Sequence, residues 1–422
     1  MYAVLRNRDF RLLLSAQFLS SIGDWFMLLA VSYYVLKLTD SPMASGMSLA
    51  VGAIPAILIG PFSGVLVDRW NRRKTMLVSN LIQAVTVCSM FFVRDPSDVW
   101  IIYVALMVES SVGQFFNPAA QAITPAITGR AEGLAEANSL SATVRSLVRL
   151  GGAPAGGAVY ALTGFQAIVL ADALSYLLSA ILIFAIRHET PILDRSATAS
   201  EPRQVRAALA SFRTELAEGW VYALNTRGLP AILTMSLMIS LASGSMNSLL
   251  VPYTSNILGV GPVALGLLMA AFGGGTLLGA GLSKKVLIRL DIRRALFAAF
   301  PISGLLFILA FNVRNVIFAG VFFAAIGVPM VCISVINLTM IQRYSGDKIL
   351  GRISSVAILM GALGQLAGTA GASVMGERIG IVFTMNIAAG VMALTGIGAA
   401  FIPSDRPQSV PAKEQSSSSP AG

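Results

Sequence analysis

The sequence predicts an all-α integral membrane protein with twelve transmembrane helices in two six-helix lobes. Three observations predict it. Only 12% of the 422 residues are charged, about half the share found in a soluble domain. Runs of about 20 apolar residues recur, each long enough to cross a bilayer as a helix. The runs are continuously apolar and do not alternate with polar residues, which points to helices and away from a barrel. A mean hydropathy of +0.76 agrees.

Taken in order, the spans read roughly as 12–36, 43–66, 76–94, 99–122, 140–162, 165–187, 229–252, 262–284, 294–311, 315–340, 350–375 and 380–402. Between the sixth and seventh lies the longest polar stretch, His188 to Arg227. Its first part, "RHETPILDRSATASEPRQVR", reads as linker. Its second, "SFRTELAEGWVYAL", places Phe212, Leu216 and Trp220 at helical spacing and reads as an amphipathic helix on the membrane surface. The chain therefore divides into an N-terminal six-helix lobe (1–187), a cytoplasmic linker with that helix (188–228) and a C-terminal six-helix lobe (229–402). The remaining tail (403–422), which ends "EQSSSSPAG", reads as disordered and cytoplasmic.

Orientation follows from Lys and Arg. With the N-terminus in the cytoplasm, the outer loops hold four of the 30, namely Lys37, Arg94, Arg314 and Arg378. The reverse topology inverts that ratio, so both termini are expected in the cytoplasm. The net charge of +10 is then a topological signal rather than a nucleic-acid footprint. The two cysteines, Cys88 and Cys332, sit inside apolar runs and do not make a disulfide framework. The first apolar stretch is too long for a cleavable signal, so the first helix is expected to direct insertion.

Small residues mark close helix contacts. Span 2 carries Ser48, Gly52, Ala56, Gly60 and Gly64, one every four residues. Span 5 carries "GGAPAGG", span 8 Gly275 and Gly279, and span 11 Gly361, Gly364, Gly368 and Gly371. Such spacing puts small residues on one face, where backbones approach closely.

The turn after span 2, "GVLVDRWNRRKTM", concentrates charge between two apolar runs. It resembles the signature loop of the major facilitator superfamily, here as Gly64, Asp68, Arg69, Arg72 and Arg73. The loop's second glycine is replaced by Asn71, a residue that tolerates left-handed backbone geometry. "GGAPAGG" is similar to the antiporter motif of drug-exporting branches. "RNRDFRLLLSAQFLSSIGDWF", "FFNPAAQAITPAI", "EANSL", "LADALSYLLSA" and "LGRISSV" resemble the macrolide-efflux-like and siderophore-efflux-like drug:proton antiporters. The resemblance implies two lobes about a pseudo-two-fold axis, a site near the midplane and alternating access by rocking. It also implies that spans 2 and 11, and 5 and 8, meet between the lobes, and that Asp68 latches the N-terminal end of span 11 near Gly351.

A charge at the bilayer centre costs at least ~2.5–3.5 kcal/mol on insertion scales, so an acid there is a functional candidate by default. Three acids lie within spans: Asp24, Glu109 and Asp172. Asp24 continues a polar stripe from Gln17 and Ser21 and is a candidate proton carrier or a structural carboxyl. Glu109 is a candidate for the proton or for a cationic substrate, and Asp172 reads as structural. Arg145 and Arg149, one turn apart near the inner end of span 5, either snorkel to the interface or pair with Asp68 as part of the latch.

Trp25, Phe115, Met235, Met238, Asn247, Asn337 and Gln342, with Gln17 and Ser21, are the candidate cavity lining. Met and aromatic side chains adapt to varied apolar shapes, which suits a bulky lipophilic substrate. No metal-ligand set, Walker-type loop or nucleophile–base arrangement is present, so neither cofactor nor enzyme chemistry is expected. The reading is a monomeric exporter of hydrophobic or amphipathic small molecules in exchange for protons, in the inner or plasma membrane of a bacterium. A dedicated siderophore or natural-product exporter, a lysophospholipid transporter and a non-transporting scaffold are the alternatives.

Overall fold

The computed structural model describes residues 4–67, 70–129, 132–187, 214, 216–289, 291–345 and 349–402. Among these residues the chain forms thirteen α-helices and no strand. Ten helices are long and apolar enough to cross a membrane, and Pro42–Leu58 is a shorter apolar helix.

α1 (Arg8–Thr39) starts where the Asn7 side chain accepts from the N–H groups of Asp9 and Phe10, satisfying donors with no partner within the helix. It ends at Asp40, a left-handed residue whose N–H donates to the Leu36 carbonyl. Span 2 is two helices, α2 (Pro42–Leu58) and α3 (Gly60–Val67). The break at Ile59 falls beside a Gly-Pro pair, and proline cannot donate to the helical ladder. α4 (Arg72–Ser89) and α5 (Val99–Thr128) follow.

Spans 5 and 6 form one element, α6 (Glu132–Phe184), with a non-helical residue at Gly164 (φ 79°, ψ −178°). The chain reverses there. Gly152 packs on Trp25 and Asp172 packs on Gly23, adjacent levels of α1, whereas a straight helix would hold positions 20 residues apart about 30 Å from each other. The positive φ at this reversal suits glycine.

The described part of the linker contains α7 (216–225). Gly219 lies on the Arg352 carbonyl and Val356, Ala223 is buried, and Glu218 pairs with Arg352. Trp220 is exposed, together with Val221 and Leu224, an apolar outer face on a helix whose other face is seated through Gly219. The absence of a side chain at Gly219 lets that face seat on its neighbour and turns Trp220 outward. Phe212 and the first part of the linker lie outside the described residues, as does the tail.

The second bundle comprises α8 (Leu229–Pro252), α9 (Pro262–Arg289), α10 (Ile292–Asn312), α11 (Val316–Tyr344), α12 (Leu350–Ile379) and α13 (Ile381–Thr395). The bundles meet through α2 with α12 and α6 with α9, the two pairings that the family resemblance implies.

The glycine stripes of spans 8 and 11 mark close helix contacts inside one bundle. Gly275 and Gly279 of α9 pack on Ala324 and Val328 of α11, and Gly364 and Gly368 of α12 pack on Leu237 and Leu241 of α8. These contacts lie within the second bundle. The seam itself rests on Gly46 against Ser373 and Ser248, Gly157 against the Pro262 carbonyl, and Gly266 against Ala153 and Pro154. A helix offers small residues on several faces, and spacing alone does not say which neighbour occupies each one.

The seam is closed at one end. There the Tyr33 hydroxyl donates to the Val260 carbonyl (3.1 Å), and Leu29, Leu36 and Ala153 of the first bundle join a core with Leu249, Leu265 and Phe311 of the second. Towards the end that carries residues 4 and 402, a Cβ placed at Gly52, Gly64 or Gly281 would meet no described residue within 4 Å.

Candidate functional site

The three acids within the spans of the first bundle lie 63 to 148 residues apart in sequence, and two of them converge on one tyrosine hydroxyl. Tyr176 on α6 is buried, and its hydroxyl lies 2.5 Å from Asp24 Oδ1 on α1 and 3.0 Å from Glu109 Oε1 on α5. Gln83 on α4 donates to the same oxygen (3.4 Å) and to the Glu109 carbonyl (3.5 Å). Asp172, one helical turn before Tyr176, is 1% exposed. It accepts from the Ser175 hydroxyl (3.3 Å) and packs on Gly23, the residue before Asp24.

Helical spacing explains the convergence. Asp172, Ser175, Tyr176 and Ser179 follow the i, i+3, i+4, i+7 pattern of one face of α6. That face meets α1 and α4, where Asn80 donates to Ser179 (2.6 Å). The absence of a side chain at Gly23 lets the Asp172 carboxyl approach α1.

The cluster is acidic and incompletely satisfied. Glu109 Oε2, Asp172 Oδ2 and Asn80 Oδ1 are buried and have no hydrogen-bond partner among the described residues. None of the three acids pairs with a Lys or Arg among those residues. Asp24 and Glu109 line a cavity with Trp25, Met27, Leu28 and Leu106, so two of the carboxyls reach an open cleft while Asp172 stays behind them. Among the described residues no group of three or more His, Cys, Asp or Glu is placed to hold a metal ion.

Proton counting gives this geometry chemical content. A tyrosine hydroxyl carries one hydrogen and cannot donate to two carboxylates at once. With both contacts made as hydrogen bonds, Tyr176 donates to one carboxylate and the other carboxyl donates a proton of its own to the tyrosine oxygen. The arrangement holds at least one exchangeable proton between Asp24 and Glu109, and a concerted shift of both hydrogens through the Tyr176 oxygen, the carboxyl proton onto it and its own onto the carboxylate, exchanges their roles.

The remaining candidates are scattered. Trp25 lines the cavity beside Asp24. Gln17 and Ser21 are half-buried on α1. Phe115 packs on the Trp70 ring (5.5 Å between centroids). Met238 is half-buried, Asn247 and Gln342 are exposed, and Asn337 accepts from Ser236 (3.0 Å), tying α11 to α8. Met235 is not cavity lining. It is 2% exposed, inside the core of the second bundle against Gly398, because the apolar character that suits a cavity wall suits a core equally.

In the charged turn, Asp68 and Arg69 lie outside the described residues. Arg72 donates to the Ala122 carbonyl (3.1 Å). Arg73 donates to the carbonyls of Ile183 (3.2 Å) and Phe184 and stacks over the Phe184 ring. Both arginines therefore tie α4 to neighbours in their own bundle. Asn71 is extended (φ −67°, ψ 109°) and its side chain accepts from Lys74 N–H (3.0 Å), capping α4. The left-handed geometry that asparagine tolerates is not used: Asn71 serves here as a helix cap, one of its preferred roles. Arg145 and Arg149 are exposed and have no ion pair among the described residues.

Sequence reasoning missed Tyr176, Gln83 and Asn80. Polar residues inside apolar spans are the signal that finds them, and the acids alone drew attention because charge costs most in the membrane.

Two packed helical bundles, joined across a seam, with two carboxyls lining a cleft in the first, define a multi-pass membrane protein. The chain belongs to the Major Facilitator Superfamily, whose profile matches residues 13–369 and 232–419, and the protein is a transporter of that superfamily with efflux-type relatives. It is 27% identical over 402 residues to the uncharacterized MFS-type transporter YfiS of Bacillus subtilis, covering 91% of each chain. It is 24% identical to macrolide efflux protein A of Streptococcus pyogenes (87% of this chain, 89% of the relative). It is 30% identical to a proposed bacilysin exporter, BacE, of Bacillus amyloliquefaciens (82% and 83%). Among solved structures, a bacterial homologue of the iron transporter ferroportin in an inward-facing state superposes with a TM-score of 0.73 at 15% identity, over 93% of this chain and 98% of that one. A bacterial homolog of the lysosomal transporter Spinster, inward-facing and unoccupied, gives 0.69 at 14% identity over 93% and 98%. These two likenesses concern the fold.

Proposed function

We propose that the protein exports hydrophobic or amphipathic small molecules by proton antiport with alternating access, as a monomer in the inner or plasma membrane of a bacterium with both termini in the cytoplasm. One observation carries the proton part: Asp24 and Glu109 share the Tyr176 hydroxyl at the edge of a cleft, without a neighbouring cation among the described residues. A proton arriving from the cleft joins this cluster, and one leaving it restores a carboxylate that a cationic or polar substrate group can meet. The apolar walls, Trp25, Met27, Leu28 and Leu106, suit a lipophilic body. The likeness to macrolide efflux protein A supports the export direction and a bulky substrate.

A second reading, a dedicated natural-product exporter, is favoured by the likeness to the proposed bacilysin exporter. The two readings differ in breadth of substrate and share the proton site.

The test is uptake of fluorescent lipophilic dyes into inverted vesicles with and without a proton gradient. Gradient-dependent accumulation is expected for the parent protein and is lost in Asp24→Asn and Glu109→Gln. If both neutralised forms still accumulate dye at the parent rate, the proton assignment fails. If no lipophilic compound accumulates in any gradient, multidrug antiport fails.

A further inference from the structure

We infer that Glu377, at the end of α12, is a gating residue: it clasps the start of α2 and holds the seam shut on the side away from the chain termini. Its Oε2 accepts from the Ser41 hydroxyl and from the Met43 backbone N–H (3.1 Å). These partners are 336 and 334 positions away in the chain, in the other bundle. The inference rests on the alternating-access part of the function proposed above.

The chemistry at this point is specific. Ser41 is the N-cap of α2, and its oxygen accepts from Ala44 N–H (3.1 Å) while its hydroxyl hydrogen goes to Glu377. Met43 N–H is one of the first-turn donors that have no partner within a helix. The positive end of the α2 dipole faces the carboxylate. One side chain of the second bundle thus completes the helix start of the first, and it does so only while the two ends are together. Opening this side leaves the carboxylate and the first-turn N–H groups to water.

Packing around the clasp fits a closed gate. One turn further along, Gly46 sits on Ser373 of α12 and Ser248 of α8, and its lack of a side chain lets the helices approach. The other seam on this side, where Gly157 meets Pro262, makes its contact through backbone. The closed side therefore carries a polar clasp on α2–α12 and a glycine contact on α6–α9.

The experiment uses the full chain with Cys88→Ser and Cys332→Ser, reconstituted in nanodiscs. Spin labels are placed at Lys37→Cys and Arg314→Cys, exposed positions near the closed side in opposite bundles. Glu377→Ala is expected to raise the population with long label separation about two- to fivefold, the size of effect an exposed carboxylate exerts at a helix start. Ser41→Ala gives a smaller rise, because Met43 N–H remains. Helix content and elution volume report folding, and Glu377→Gln, which keeps an acceptor oxygen without the charge, is expected to fall between parent and Glu377→Ala. If folded Glu377→Ala and Glu377→Gln both keep the parent distance distribution, the clasp is overturned. If no long-distance population appears in the parent under any substrate or proton gradient while transport proceeds, alternating access about this seam fails instead.

Discussion

Asp24 and Glu109 lie on different helices, and both reach the hydroxyl of Tyr176, at 2.5 and 3.0 Å. The pair shares one donor and therefore shares proton occupancy. Replacing Tyr176 by Phe removes that donor and leaves both carboxyls without it. Gradient-driven uptake is expected to fall to the level of vesicles without a gradient. Thermal stability drops by about 1–3 kcal/mol, the cost of stranding a buried polar group. Parallel dye-uptake and melting measurements check both outcomes.

Asp172 differs from the other two acids because it lies behind the cavity lining, 1% exposed and packed on Gly23. Asp172→Asn keeps its shape and its contact with Ser175. It is expected to retain gradient-driven uptake, whereas Asp24→Asn and Glu109→Gln lose it while still exchanging substrate downhill. Uptake and exchange assays on the same vesicle preparations separate coupling from passage.

Gly46 packs on Ser373 and Ser248 at the closed seam. Gly46→Leu introduces a side chain where none fits and disfavours closure by about 1–3 kcal/mol, the usual cost of overpacking. Thiol labelling of a cysteine at position 373, in the background without Cys88 and Cys332, is expected to speed up when Leu occupies position 46.

Arg73 donates to two carbonyls at the end of α6 through its guanidinium fork. Arg73→Ala is expected to cost about 1–2 kcal/mol of stability, the scale of a charged hydrogen bond discounted for partial exposure. Arg73→Lys recovers only part of it, since an ammonium cannot reproduce the fork. Thermal melts of the purified variants measure the difference.

Much of the fold was legible in the chain because membrane insertion writes itself in long apolar runs. The twelve spans and the polar stretch between the sixth and seventh follow from that constraint. Boundaries were less legible. The break in span 2 and the tight reversal at Gly164 depend on single residues whose backbone geometry an apolar run conceals. The site was half legible: charge in an apolar span named Asp24, Glu109 and Asp172, but no spacing rule connects helices so far apart in sequence.

The sequence by itself determined a helical membrane protein, its division into halves and the three acids worth watching, because each rests on composition or local periodicity. Only the tertiary structure decided that Asp24 and Glu109 meet at Tyr176, that Met235 is core, and that Asn71 is a cap. It also decided that most of the glycine stripes pack within a bundle and that Glu377 reaches α2. Each of these depends on which face of one helix meets which face of another. That choice is made by packing across the whole bundle, where side chains hundreds of positions apart become neighbours.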